Sequence, residues 1–275
     1  FDCLLGVQHM KTYLTLSAIA LAAAATLSSG AVMAADPAPA PEFTIAYNIG
    51  ATSDYRVRGI KQNNSNPAVQ GGIDIGHSSG LYVGTWGSNV SDWTAAGSKR
   101  NLEIDYYGGY KTEVAGVALD FGTIYYSYPG VTSPNLANTH EAYVGATYGP
   151  AAFKVSRVLG KNYFASTVDG KSASGTMYYD LTVSQEVAPK LTAAIHAGYT
   201  DYKESASAYT AALVTGGGKF SYADYNVGLS YDVDGYILGI KYYINDAKAG
   251  TKSYGVAEGK SLVKNGVAVS VLKAF

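Results

Sequence analysis

Between residues 54 and 58 the chain reads Asp54-Tyr55-Arg56-Val57-Arg58, which places one carboxylate and two guanidinium groups at alternate positions. In an extended strand alternate residues share a face, so this spacing predicts a charged inner face with Tyr55 and Val57 turned outward. The same parity sets Gln70, Asp74, Glu103, Asp105, Lys111, Asp120, Glu141, Lys154, Asp180, His196, Asp224 and Lys241 on inner faces, opposite apolar neighbours. Together with the first three these make five Lys or Arg against eight carboxylates, a formal sum of −3. Charges on strands that cross a bilayer must face a lumen, because Arg or Lys at the lipid midplane costs about 2–4 kcal/mol. The chemistry on offer is electrostatic: a mildly cation-favouring constriction in which Arg56 and Arg58 face carboxylates, or a charge network that braces a filled barrel.

Covalent and metal chemistry are poorly served. An enzyme acting on lipid would need a Ser nucleophile in reach of a His base. His77, His140 and His196 stand in a predicted turn, at a strand end and mid-strand, none within a Ser–His motif. Cys3 is the only cysteine and precedes the expected mature chain, which removes disulfides, thiolate nucleophiles and Cys-ligated metals. No zinc spacing, Walker loop or EF-hand loop occurs, and Gly216-Gly217-Gly218 reads as a loop tip because a strand pattern follows it. The reading is therefore a non-enzyme with no cofactor and no metal.

Holding those charges inward is a task for strands. The 275 residues carry a net charge of −1, so no basic field exists to hold nucleic acid. Charged residues are only 15 %, while Gly (32) and Tyr (25) are in excess, and no apolar run past residue 35 is long enough for a membrane helix. Period-two alternation bounded by turn residues predicts twelve strands: 43–60, 67–76, 81–88, 101–111, 117–128, 140–148, 151–159, 176–185, 191–200, 220–231, 236–244 and 266–275. Odd-numbered connections run from 6 to 21 residues and even-numbered ones from 2 to 5. This sorting fits an all-β, up-and-down antiparallel transmembrane β-barrel with short turns at one rim and long loops at the other. A soluble sandwich would have no reason to sort its loops so, and its core would bury many Tyr hydroxyls. Apolar faces such as Tyr225, Val227, Leu229 and Tyr231 then meet lipid, with Tyr towards the ends as an interface girdle, and Trp86, ambiguous in parity, reads as girdle first and lumen second. The lumenal face is expected to be polar and small.

Residues 1–9 read as an upstream extension and residues 10–35 as a secretory signal peptide, with Met10-Lys11, an apolar stretch from Leu14 to Leu27, and cleavage after Ala34 or Ala35. Residues 36–42 form a stiff Pro/Ala leader, and 43–275 the barrel. Phe275 ends an alternating strand, similar to the signal by which outer-membrane barrels are handed to the barrel-assembly machinery. Lys273 departs from the usual apolar residue there and can snorkel at the rim.

Three blocks, Ser53 to Ile60, Asn66 to Asp74 and Gly84 to Asn89, resemble the proteobacterial TorF-like family of outer-membrane porins. Glu103 to Tyr110, Tyr125 to Gly130 and Glu141 to Gly145 continue that resemblance. It implies a barrel in the bacterial outer membrane, surrounded by its lipid, passing small solutes or ions. Two other readings compete: a structural or adhesive barrel acting through loops 201–219 and 245–265, and an outer-membrane lipid-modifying enzyme.

Overall fold

Val, Ile, Thr and Tyr dominate the alternating segments, and these residue types favour extended, pleated backbone. The computed structural model describes residues 41–91, 101–130, 137–164, 172–203, 221–247, 256–257 and 260–275. The expected signal peptide with Ala34 and Ala35, the 1–9 extension, residues 36–40 of the leader, and much of loops 201–219 and 245–265 lie outside the described residues.

Sixteen strands form among the described residues. They are β1 (Phe43–Thr52), β2 (Arg56–Val57), β3 (Ile60–Lys61), β4 (Ala68–His77), β5 (Leu81–Asn89), β6 (Leu102–Val114), β7 (Val117–Ser127) and β8 (Thr139–Tyr148), then β9 (Ala151–Val158), β10 (Met177–Ala188), β11 (Leu191–Asp201), β12 (Tyr222–Val233), β13 (Tyr236–Asn245), β14 (Val256–Ala257), β15 (Lys260–Ser261) and β16 (Gly266–Ala274). Twelve of them close one antiparallel barrel, from β1 through β4 to β13 in chain order and back to β1 through β16. The seam is made by Asn48 opposite Ala274 through Thr52 opposite Ser270, and Phe275 N donates to Tyr47 O at 2.8 Å. Closure leaves no unpaired edge, which is what a sheet immersed in hydrocarbon requires.

Short turns join the strands at one rim. Ala115-Gly116 and Asp234-Gly235 each pair two left-handed residues, with φ of 52° and 79° in the first and 52° and 81° in the second. That is the primed geometry whose twist matches antiparallel strands. Asp232 Oδ1 accepts from Gly235 N at 2.7 Å and fixes the second turn.

The outward face is mostly apolar, with Ile45, Val69, Val83, Phe121, Val144, Leu181, Ile195, Val227, Ile240 and Val269 all exposed, and Thr123 and Arg157 among them. So continuous an apolar surface far exceeds what a water-soluble monomer carries, and the sandwich reading falls with it. Tyr47, Tyr106, Tyr148, Tyr199, Tyr231 and Tyr236 stand among these outward residues.

Two expectations need correction. The first predicted strand, 43–60, leaves the wall at Thr52, because Arg58 (φ 49°) and Gly59 (φ 74°) turn the chain back on itself as the β2–β3 hairpin. Alternation over 54–58 therefore belongs to a loop folded into the bore, and Tyr55 points inward at 6 % exposure instead of outward. The second correction concerns the lumenal face, which is not small. Tyr126, Tyr143, Tyr178 and Tyr222 are buried inside, and Trp86, expected in the girdle, is buried with its ring 5.7 Å from that of Tyr55.

These inward aromatics are accommodated by inward glycines. Tyr107 on β6 lies across Gly84 of β5 and donates its hydroxyl to Asp74 of β4 at 2.7 Å. Tyr82 on β5 and Tyr143 on β8 reach towards each other across Gly109 and Gly122 until their hydroxyls meet, and Tyr82 donates to Asp120 at 2.7 Å. Tyr178 on β10 crosses Gly198 of β11 to reach Asp224 on β12 at 3.2 Å. Each ring thus spans a strand that has no side chain in the way, and the hydroxyls of Tyr82, Tyr107 and Tyr178 are satisfied two strands from their own.

A Cβ at Gly84 would press on the Tyr107 ring and come 2.7 Å from Asp74 Oδ1, whereas at Gly145 it would meet nothing nearer than 3.7 Å. Gly84→Ala is therefore expected to cost about 1–3 kcal/mol from overpacking, and Gly145→Ala no more than about 0.5 kcal/mol. Urea unfolding midpoints of protein folded into lipid vesicles will separate the two; equal losses would remove the interlock from the stability account.

Candidate functional site

The barrel interior divides into two tiers. Towards the long-loop rim, the connection between β1 and β4 descends into the bore and touches the wall on several sides. Arg58 is the centre of this contact. Its Nη1 and Nη2 donate to the two Glu141 carboxylate oxygens at 2.9 and 2.7 Å, Nη1 also donates to Tyr163 Oη at 2.8 Å, and the guanidinium lies 4.3 Å over the Tyr178 ring. Tyr222 Oη on β12 donates to the Arg58 carbonyl at 2.9 Å. A Cβ at Gly59 would fall 2.6 Å from both Asp224 Cβ and Asn245 Nδ2, so glycine is demanded by space as well as by its dihedral. The forked, charge-assisted pair is the strong form of such a contact. Burial disfavours the charged guanidinium, but Glu141 outweighs it and raises the Arg58 pKa well above its ordinary value.

Arg56 turns towards the other side. Its Nε and Nη2 donate to Asp54 Oδ2 at 2.9 and 2.7 Å, and its guanidinium sits 5.0 Å over the Tyr243 ring of β13. Lys61 Nζ approaches the same Asp54 oxygen at 4.0 Å. Tyr55 donates to Glu103 Oε1 at 3.2 Å. Its burial, and then Glu103 and Asp105 nearby, push the Tyr55 hydroxyl pKa well up, so it stays a donor. Backbone bonds tie the same loop down: Gln62 N to Tyr55 O at 2.8 Å, Lys61 N to Leu262 O at 3.0 Å and Ser91 N to Gln62 O at 3.0 Å. Asp105 is fully buried beside this cluster with neither carboxyl oxygen hydrogen-bonded.

Towards the turn rim most of the interior is half-buried, although Asp180 and Asp224, which flank His196, are buried. His196 on β11 is held between two carboxylates, with Nδ1 3.5 Å from Asp180 and Nε2 3.2 Å from Asp224. Tyr178 Oη at 3.2 Å and Thr182 Oγ1 at 3.2 Å complete its surroundings. Lys111 Nζ lies 4.6 Å over the Tyr82 ring, and Lys154 Nζ 5.4 Å over the Tyr143 ring. Lys241 is half-buried on β13. Asp74 and Asp120 accept the tyrosine hydroxyls already described.

The fourteen charged or titratable residues singled out by parity thus all lie on the inner side, but by two routes. Asp74, Glu103, Asp105, Lys111, Asp120, Glu141, Lys154, Asp180, His196, Asp224 and Lys241 project from wall strands, whereas Asp54, Arg56 and Arg58 arrive on the in-folded loop. The structure brings together Arg58 with Glu141, Arg56 with Asp54, and His196 with Asp180 and Asp224. Sequence reasoning missed Lys61 and the tyrosines at 55, 163, 178, 222 and 243. An inward-parity Tyr facing an inward Gly on the neighbouring strand was the available signal, readable only once register is known. No group of His, Cys, Asp or Glu able to hold a metal ion occurs among the described residues. Phe275 stacks on Tyr47 at 5.4 Å, and Lys273 Nζ donates to Asp234 O at 3.0 Å at the turn rim.

No curated protein matches the chain. Among solved structures, a NanC porin is similar at 12 % identity with a TM-score of 0.50, over 84 % of this chain and 98 % of that one. A KdgM porin, solved in complex with disordered oligogalacturonate, is similar at 9 % identity and a TM-score of 0.47, over 84 % and 98 %. Salmonella typhi OmpF, in complex with daunomycin, gives 10 % and 0.43, over 85 % and 97 %. At 12 % identity the likeness to NanC is one of fold: a closed barrel of the outer-membrane porin kind. Over residues 35–275 the chain matches the family described as "Bacterial protein of unknown function (Gcw_chp)", and it belongs to that family.

Proposed function

We propose that this protein is an outer-membrane channel for passive diffusion of small hydrophilic solutes or ions, as its resemblance to the TorF-like porins implies, with the 53–67 loop as its constriction. The observation that carries the reading is the radial arrangement. An apolar outer face encloses a charged interior that is mostly half-buried from the turn rim up to the in-folded loop. Outer-membrane lipid is the partner of that outer face, and the terminal Phe275 strand would be what the barrel-assembly machinery reads. On the formal inward count of −3, the field would favour cations mildly.

A second reading has its own support. The side chains of Arg56, Arg58 and Glu141 are 0 %, 9 % and 1 % exposed, the burial expected of a plug that braces a non-conducting structural or adhesive barrel. Lipid modification has less: His196 faces the lumen, where an acyl chain in the surrounding bilayer cannot reach it, and carboxylates occupy both its ring nitrogens. We therefore read a channel and not an enzyme.

In planar bilayers the purified protein is expected to give discrete conductance steps. Making Arg56→Glu and Arg58→Glu together is expected to change their size or ion preference, and deleting residues 56–61 to enlarge them. Silent bilayers despite verified insertion would leave the plug reading in possession. Arg58→Met alone strands the buried Glu141 carboxylate and is expected to cost about 3–5 kcal/mol. Adding Glu141→Leu should recover most of that loss in urea unfolding; a double variant no better than the single one would show that the ion pair is not what anchors the loop.

A further inference from the structure

Counting inward residues treats every charge alike, but the interior buries its two signs unequally. Of the eight inward carboxyls, six are buried: Asp54 at 8 % exposure, Glu103 at 0 %, Asp105 at 0 %, Glu141 at 1 %, Asp180 at 5 % and Asp224 at 2 %. Only Asp74 and Asp120 keep appreciable contact with the lumen, and each already accepts a tyrosine hydroxyl at 2.7 Å. The cations divide the other way. Arg56 and Arg58 are spent on Asp54 and Glu141 under the loop. Lys111, Lys154 and Lys241 are half-buried on the wall, and none makes an ion pair or hydrogen bond among the described residues.

The placement of two of these lysines makes one surface. Lys111 and Lys154 each cover one ring of the touching Tyr82–Tyr143 pair, so two ammonium groups flank a single aromatic platform. Asp180, on the strand beside Lys154, is committed to Thr182 and His196, and Lys241 stands apart on β13. An ammonium group without a carboxylate partner exchanges its water for an anionic oxygen at little cost, whereas a paired one must first break its pair.

We infer that this stretch of the lumen wall is a binding and selection site for small organic anions of the carboxylate class, held by Lys111 and Lys154 over the Tyr82–Tyr143 platform. The inference rests on the channel reading and sets a local anion site against the sign that formal counting assigns to the whole lumen. At the platform a passing solute meets two ammonium groups without carboxylate partners, beside Asp74 and Asp120 that already accept tyrosine hydroxyls, while Glu113, Glu186 and Asp232 stand nearer the turns.

The test is liposome swelling with arabinose and with gluconate, joined to reversal potentials in a KCl gradient, on the parent, a Lys154→Gln variant and a Lys111→Gln, Lys154→Gln double variant. Heat-modified gel mobility reports folding. The parent is expected to pass gluconate at least as fast as arabinose and to prefer chloride. Each lysine removed should reduce that preference by up to about fivefold, the scale of one charge at contact distance in water-like surroundings. Lys154→Gln alone should move the reversal potential towards potassium even if the double variant does not fold. A parent that passes arabinose but excludes gluconate or prefers potassium would overturn the inference and leave the channel intact. Variants that keep the parent's preference would do the same. Neither sugar entering would remove both.

Discussion

A backbone amide surrounded by hydrocarbon has only a neighbouring strand to bond to, and this constraint governs everything else in the molecule. It forces the sheet to close, and closing twelve strands leaves a bore wider than wall side chains of ordinary size can fill. The chain meets that second demand in two ways. Tyrosines are laid across glycine-bearing strands, as Tyr107 is across Gly84 and Tyr178 across Gly198, with each hydroxyl anchored on an Asp further round the wall. Above them, towards the long loops, the 53–67 segment is drawn inside. Burial of so many polar groups is tolerable because nearly all are matched, Arg58 by Glu141 and Tyr163, Arg56 by Asp54, Tyr55 by Glu103. Asp105 is the clearest exception, with neither carboxyl oxygen hydrogen-bonded, and single atoms such as Arg56 Nη1, Gln62 Oε1 and Ser91 Oγ also lack a partner.

The same arrangement links stability to transport. A loop that fills the bore also narrows it, so the contacts that hold the 53–67 segment are those a permeating solute would have to pass. Glu141, buried to 1 %, tolerates its charge only because the Arg58 fork reaches it. Below this layer the wall changes character: most residues become half-buried, carboxylates carry hydroxyl partners, and lysines stand over aromatic faces without carboxylate partners. One interior thus combines a closed, paired layer with an open, partly unpaired one.

Much of this was legible in the sequence, and the rest was hidden for identifiable reasons. Strand limits came out within a few residues because turn chemistry is local: Asp234-Gly235 and Gly149-Pro150 announce their turns without reference to anything distant. Sorting of loop lengths carried the topology. The segment 53–60 was misread because a hairpin folded into the lumen alternates just as a wall strand does; Gly59 was its only mark, and the left-handed Arg58 beside it leaves no trace in composition. Tyrosine direction was hidden too. A Tyr suits a lipid interface and a wet interior equally, so Tyr143 and Trp86 could be placed only once register set them beside Gly122 and Tyr55. Which inward charges stay accessible was beyond reach, since burial separates Glu103 from Asp74 where parity does not.

Everything functional turns on whether residues 53–67 are held inside the barrel. Amide hydrogen exchange of the intact protein in micelles measures this without altering a residue. Lys61 N is bonded to Leu262 O and Gln62 N to Tyr55 O, so both amides should exchange as slowly as those of the adjoining wall strands. Exchange at the rate of solvated amides, with the wall still protected, would place the segment outside and contradict the account.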